Sequence, residues 1–253
     1  MSVMVVTHTT DLNAKRYLDL LKRTLLNLPY LEMDLAEQQP LKELVSKRLA
    51  GQDWPKCAHT MIGWHLLENI QTCLTQILEE NIPGDVIETG VFRGGACIFM
   101  KAILKAYGSA KRVYVADSFE GLPAPSLPQD MSCDLTPSKD YLAVSLEQVQ
   151  DNFIRYDLLD PQVTFVKGWF KDTLHTLEGP LALIRLDGDM YESTMDALTA
   201  LYPKLSVGGY IIIDDFGSVN ACRQAVTDYC NLHELVEDVE KIDGSGIYWR
   251  KTS

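Results

Sequence analysis

Two acidic pairs close two apolar runs: Asp187 and Asp189 in "LDGDMY" (Leu186–Tyr191), then Asp214 and Asp215 in "IIIDDF" (Ile211–Phe216). A carboxylate at the end of a buried strand is costly to desolvate unless it is paired, hydrogen-bonded or holding a metal. If the two runs are neighbouring strands, the four carboxylates converge and repel, and raised pKa values or a bound cation are the usual resolutions. Oxygen ligands alone select a hard cation such as Mg²⁺. Residues i and i+2 of a strand point the same way, so Asp187 and Asp189 are expected to share one site, one toward the metal and one toward a substrate. A bound cation acidifies a hydroxyl that is otherwise a poor nucleophile, and the second carboxylate takes its proton. A plainer reading stays open: Asp189 just precedes a helical pattern, where acids serve as caps.

A glycine turn suggests the electrophile. "VIETGVFRGGA" (Val86–Ala96) leaves a strand and opens a helix, with Glu88-x-Gly90-x-x-x-Gly94-Gly95 spacing. The dinucleotide fingerprint is G-x-G-x-x-G, and an acid before the turn sits badly beside a pyrophosphate. Glu88 suits a ligand that donates hydrogen bonds or carries positive charge, such as the amino group of S-adenosylmethionine. The next strand ends in "VADSF", where Asp117 can accept hydrogen bonds from ribose hydroxyls. The third ends in "KGWF", whose backbone and Trp169 can hold an adenine. These strand ends favour S-adenosylmethionine, whose sulfonium methyl an activated oxygen attacks in line. Helix–strand packing alone remains the competing account of the glycines.

The elements that must position these groups follow from periodicity. Apolar residues at helical spacing fill "NAKRYLDLLKRTLLNL", "LKELVSKRLAG" and "TMIGWHLLENIQTCLTQILEEN" between Thr10 and Glu80. From Gly84 strands and helices alternate: strands in "GDVIETG", "RVYVADSF", "QVTFVKGWF", "LALIRLDGD" and "GGYIIIDDF", with helices between, one of them "LAVSLEQVQDNFIRYDLL". The end, "VEDVEKIDGSGIYWRK", reads as two strands about a Gly-Ser-Gly turn. The pattern predicts an α/β fold, a mostly parallel sheet covered on both faces with an antiparallel edge, and ligands beyond the strands' carboxyl ends. The expected organisation is an N-terminal helical cap over 1–80 and a ligand-binding domain over 81–253. The Pro-rich stretch 120–141 is either a lid or a plain surface insertion.

Composition narrows the partners. A formal net charge of −12 disfavours nucleic acid and anionic membranes. No apolar run approaches the ~20 residues of a membrane span, and no secretory leader is apparent. Cys57, Cys73, Cys97, Cys133, Cys222 and Cys230 show neither C-x-x-C nor zinc spacing, which favours reduced thiols in a cytoplasmic protein. Trp54, Trp64 and His59 read as packing residues, whereas Tyr191 and Glu192 are substrate candidates by their position after Asp189.

The blocks "AHTMIG", "VIETGVFRGGACIF", "VADSFEGLP", "GWFKDTL", "RLDGDMYESTMDAL", "GGYIIIDDF", "ACRQAV" and "GIYWR" together closely resemble the macrocin (TylF-type) O-methyltransferase family, from about Leu18 to Arg250. Its members methylate deoxysugar hydroxyls of macrolides and aminocoumarins with S-adenosylmethionine and Mg²⁺. The resemblance implies a Rossmann-like class I methyltransferase with an N-terminal helical lid, acting as a homodimer or larger assembly on a small-molecule glycoside. It carries the metal aspartates onto Asp187, Asp214 and Asp215 and the general base onto Asp189. It carries cofactor contacts onto Thr60, Met61, Glu88, Thr89, Gly90, Asp117, Ser118 and Gly168–Phe170, with Arg93, Gly94 and Ala96 at the helix start and Asp187 beside the cofactor. A catechol or other phenol as acceptor, and a nicotinamide-dependent sugar-modifying enzyme, are the alternatives.

Overall fold

In the computed structural model, which describes residues 6–34, 40–131 and 138–253, the chain opens with three helices, α1 (Val6–Leu25), α2 (Leu41–Leu49) and α3 (Trp64–Glu79). Alternation follows through β1 (Asp85–Thr89), α4 (Gly95–Ala106), β2 (Val113–Asp117), the short α5 (Lys139–Leu142), α6 (Leu146–Arg155) and β3 (Val163–Lys167). The short α7 (Phe170–Thr173), β4 (Leu181–Leu186), α8 (Tyr191–Leu201), β5 (Leu205–Ile213), α9 (Asn220–Leu232), β6 (Glu240–Lys241) and β7 (Ile247–Arg250) complete the chain. The strands form one sheet in the order β3-β2-β1-β4-β5-β7-β6. Neighbours from β3 to β5 are parallel, while β7 runs antiparallel to both β5 and β6. Successive strands step from β1 to one side through β2 and β3 and then to its other side through β4 and β5, so the order reverses between β1 and β4 and opens a crevice at their carboxyl ends.

The central strands are apolar on both faces because helices cover both. Val86, Val113, Val115 and Leu183 face one core with α3 and α4, while Ile87, Ala116, Ile184 and Ile213 face another with α8 and α9. Leu18, Leu21 and Leu25 of α1 join Leu67, Ile70 and Leu74 of α3 in the first core. Each buried leucine contributes about 2 kcal/mol, so the N-terminal helices are held by the same core as the sheet. Arg48 fastens α2: its buried guanidinium forks onto Asp53, with Nη2 to Oδ2 at 2.7 Å, and donates to the Leu26 carbonyl at 2.7 Å. No helix among the described residues is long and apolar enough to cross a membrane.

Local chemistry moves some predicted boundaries. The helix expected over 142–159 is interrupted: Ser145 accepts a hydrogen bond from Gln148 N at 3.2 Å, and this N-cap starts α6 separately from α5. The third strand stops at Lys167, and "GWF" turns into α7. Of the terminal pair, β6 is only two residues long. Cys133 and residues 132–137 of the Pro-rich stretch lie outside the described residues; Cys73, Cys97 and Cys222 are buried and free, as packed thiols should be.

The turn after β1 approaches the turn after β4 so closely that only glycine fits. Gly90 has φ +79, and a Cβ there would lie 1.6 Å from the Asp187 carbonyl oxygen. Backbone strain and collision act together in G90A, so the variant should lose at least about 3 kcal/mol of unfolding free energy. The midpoint and slope of urea unfolding measure this; a parent-like midpoint refutes it.

Candidate active site

Arg185 occupies the centre of the carboxyl-end crevice, fully buried on β4. It pairs in register with Glu88 of β1, and its Nη1 donates to that carboxylate and, at 2.9 Å, to Asp187 Oδ2. Nη2 lies 2.8 Å from Asp214 Oδ1, an ion pair off the angle of a hydrogen bond. Strand parity explains the gathering: Glu88, Arg185, Asp187 and Asp214 continue the alternation of the face that carries Val86, Leu183 and Ile212. One cation therefore serves three carboxylates. Burial opposes its charge, but Asp214, Asp187 and Glu88 together hold Arg185 more firmly protonated than usual. Glu88 moves the other way for a carboxylate: burial pushes it up to about 7 against the pull of Arg185 and of the Cys97 thiol, which donates to it at 2.7 Å. The two directions agree physically, since one shared cation does not offset the burial of each anion.

Asp187, Asp214 and Asp215 offer oxygens that all lie within 4.8 Å of one another. Burial and then the charge of Asp187 raise Asp214 well above the ordinary carboxylate range; burial and then Asp189 and Asp187 do the same to Asp215. A crowded all-oxygen donor set whose like charges disfavour ionisation fits a hard divalent cation. Asp189 stands beside it, its N–H donating to Asp215 Oδ2 at 3.3 Å. Burial, and then Asp187, push the Asp189 carboxyl up to about 7. The expected strand geometry does not bring Asp189 there. β4 ends at Leu186, and Asp189 has φ +54, so a left-handed turn, not an i, i+2 repeat, orients it. Asp189 is not the cap of α8 either, since that position belongs to Met190, which supplies no side-chain bond.

Both Asp187 and Asp189 open on a cavity of about 360 Å³. Its other walls include Met61, Gly90, Asp117, Ser118, Trp169 and Phe170, all expected at a cofactor, and Gly121–Ala124 of the Pro-rich stretch. Asp117 is fixed by its backbone: Oδ2 accepts from Val91 N at 2.8 Å and Oδ1 from Phe119 N at 2.7 Å. Each oxygen keeps lone pairs for further donors, which suits a diol. Lys171, Glu192, Ser193 and Asp196 complete the side toward α8.

Several predicted residues support the crevice without lining it. Glu88 has its oxygens engaged by Arg185 and Cys97, so in this arrangement it does not present itself to an amino group. Thr60 and Thr89 are buried, Thr60 accepting from Ile62 N at 3.4 Å and Thr89 with its hydroxyl unpartnered. Arg93 donates to the carbonyls of Ala58 at 2.8 Å and Pro55 at 3.2 Å, tying the approach to α3 onto the start of α4. Gly94 is the N-cap of α4, Ala96 packs in the core, and Gly168 turns β3 toward Trp169. A Cβ at Gly95 would lie 2.4 Å from the His59 carbonyl, which accounts for the second glycine. His59 bonds Tyr156 Oη through Nδ1 at 2.7 Å, and Lys22 lies over the Trp64 ring, both packing roles. Tyr191 turns to Asp228 at 3.1 Å, while its neighbour Glu192 lines the cavity. Sequence reasoning missed Arg185, although a charge two residues before Asp187 inside an apolar run was a readable signal. It also missed Asp130, for which no local pattern exists.

The family model described as Macrocin-O-methyltransferase (TylF) matches residues 14–251. The 8-demethyl-8-(2,3-dimethoxy-alpha-L-rhamnosyl)-tetracenomycin-C 4'-O-methyltransferase of Streptomyces olivaceus is 49% identical over 249 residues, covering 94% of this chain and 93% of that protein. The mycinamicin III 3''-O-methyltransferase of Micromonospora griseorubida is 47% identical, over 94% of this chain and 96% of its own. Among solved structures, the O-methyltransferase NovP superposes with a TM-score of 0.89 at 45% identity, over 95% of this chain and 100% of that one.

The buried Glu88 has a measurable consequence. Its carboxyl binds a proton more readily in the folded protein, near 7, than at the usual 4.5. That contribution to stability is complete below the unfolded value and is lost as pH rises through the folded one. With EDTA present, E88Q should therefore reduce the stability difference between pH 5 and pH 8 by about 2 kcal/mol. Urea unfolding of parent and variant at both pH values checks it; parallel slopes contradict it.

Proposed function

The chain belongs to the TylF family of macrocin O-methyltransferases, and from that premise we propose that it transfers a methyl group from S-adenosylmethionine to a sugar hydroxyl of a glycosylated natural product. The observation that carries this reading is the single cavity on which Gly90, Asp117, Asp187 and Asp189 all open. The name of the Streptomyces olivaceus relative, a 4'-O-methyltransferase of a rhamnosyl-tetracenomycin, supports the choice of acceptor.

Bound S-adenosylmethionine supplies a methyl group on a positively charged sulfur. Gly90 would let the backbone come close to it, the free lone pairs of Asp117 would accept from its ribose hydroxyls, and Trp169 and Phe170 would line the adenine end. Asp187, Asp214 and Asp215 would hold Mg²⁺, which lowers the pKa of a hydroxyl and offsets carboxylate charge when bound. Arg185 keeps Asp187 and Asp214 in place from behind. Asp189 is the general base: burial makes it a stronger base than an exposed aspartate, and it takes the acceptor hydroxyl's proton. The bound donor would supply the methyl together with a neutral thioether leaving group, the C–S electron pair staying on sulfur as the C–O bond replaces it, and Asp189 would keep the hydroxyl's proton. The cavity walls would hold acceptor oxygen and methyl carbon in line.

Replacing Asp189 by asparagine should lower kcat/KM for the glycoside acceptor by about 10²–10⁴-fold while leaving S-adenosylhomocysteine affinity unchanged. Labelled methyl transfer and calorimetry measure the two quantities. Near-full activity of D189N would remove the base from the mechanism and favour a phenolic acceptor, whose hydroxyl ionises more easily. Chelation with EDTA should abolish transfer and Mg²⁺ should restore it, with D214A insensitive to the addition; full activity in EDTA would sink the cation assignment.

A further inference from the structure

Asp130 lies in the Pro-rich loop, 61 residues before the Tyr191 it meets, and it is fully buried. A turn in which Asp130 N donates to the Leu127 carbonyl at 3.0 Å presents it to the start of α8. There one carboxylate oxygen accepts from Tyr191 N at 2.6 Å and the other from Glu192 N at 3.1 Å. A helix leaves its first N–H groups without intrahelical partners, and the N-cap of α8, Met190, has no polar side chain to serve them. The cap comes instead from another part of the chain. Its negative charge also lies at the positive end of the helix dipole.

This bidentate cap joins the two walls of the cavity. On one side, Gly121–Ala124 line it, and Ser126 donates to the Glu192 carboxylate. On the other, Asp189 stands next to the N-cap of α8 in a left-handed conformation, and Glu192, Ser193 and Asp196 face the cavity from the helix. A left-handed aspartate is strained and persists only where its surroundings hold it. We propose that Asp130 is a positioning residue, clamping the Pro-rich loop to the first turn of α8 and so setting the geometry with which Asp189 and Glu192 meet the acceptor. The inference rests on the reading of this cavity as a methyltransferase site. Gly90 and Asp117, at the other end of the cavity, are held by their own backbone contacts, so acceptor and cofactor should respond differently.

D130A and D130N test it. D130A should raise acceptor KM and lower kcat, reducing kcat/KM by about 10–100-fold, as expected when a catalytic group is displaced by a fraction of an ångström. S-adenosylhomocysteine affinity, by calorimetry, should stay at the parent value. D130N keeps one good acceptor oxygen and should recover most of the loss. Thermolysin should cut within 121–131 faster in D130A than in the parent, with D130N between them. Parent-like kinetics and cleavage in D130A overturn the proposal, as does an equal loss of S-adenosylhomocysteine binding. Should D130A not fold, loop cleavage in D130N decides: faster than the parent supports the clamp, and equal to the parent overturns it. If the parent methylates no glycoside, the functional reading fails, while the cleavage comparison still judges the clamp.

Discussion

Carboxylates gathered at the ends of three buried strands must be kept from repelling one another apart, and Arg185 meets that constraint. Its guanidinium reaches Glu88, Asp187 and Asp214, residues of β1, of the turn after β4 and of the turn after β5. Removing one partner from such a buried network leaves uncompensated charge, at a cost of roughly 3–5 kcal/mol. The network thus fixes the mutual positions of the two turns that carry the acidic pairs. Among the described residues neither Asp215 nor Asp189 has an ion-pair partner of its own, the electrostatic state in which a cation or a proton is readily taken up.

From this centre the crevice divides into two halves with different supports. The half proposed for the cofactor is built from backbone: the Gly90 turn pressed against the Asp187 carbonyl, and Asp117 held by two N–H groups. Such supports are local to the sheet, and at Gly90 a side chain has no room to enter. The half proposed for the acceptor is built from side chains and a loop, with Asp130 and Ser126 bonding the start of α8. Loops tolerate substitution better than strand ends. A division of this kind lets one cofactor serve acceptors of different shape.

The N-terminal helices are less a detachable cap than a continuation of the core. Leucines of α1 and α3 pack with α4 and the sheet, Arg48 ties α2 to the end of α1, and Arg93 ties the segment before α3 to the start of α4. Met61, on that last segment, reaches the cavity wall. The energetic consequence is cooperativity, because the segment that borders the cavity shares the buried contacts that hold the sheet together.

Much of this was legible without coordinates. Alternating apolar strands and amphipathic helices determined a covered, mostly parallel sheet, since a strand apolar on both faces can be stable only between two layers. The acidic ends of "LALIRLDGD" and "GGYIIIDDF", with the turn at Gly90 and Asp117 after β2, pointed to the crevice where Gly90, Asp117, Asp187 and Asp189 line one cavity, because such carboxylates have no cheaper place at a strand end. Tertiary structure alone decided how those groups are used. It turned Glu88 inward to Arg185, because strand register, invisible in one strand's sequence, sets them side by side. It bent Asp189 out of the strand through a left-handed turn, and it brought Asp130 across from the Pro-rich loop to cap α8. Residue type and spacing specify what a segment must bury; which distant partner satisfies it depends on packing between segments, and no local pattern records that.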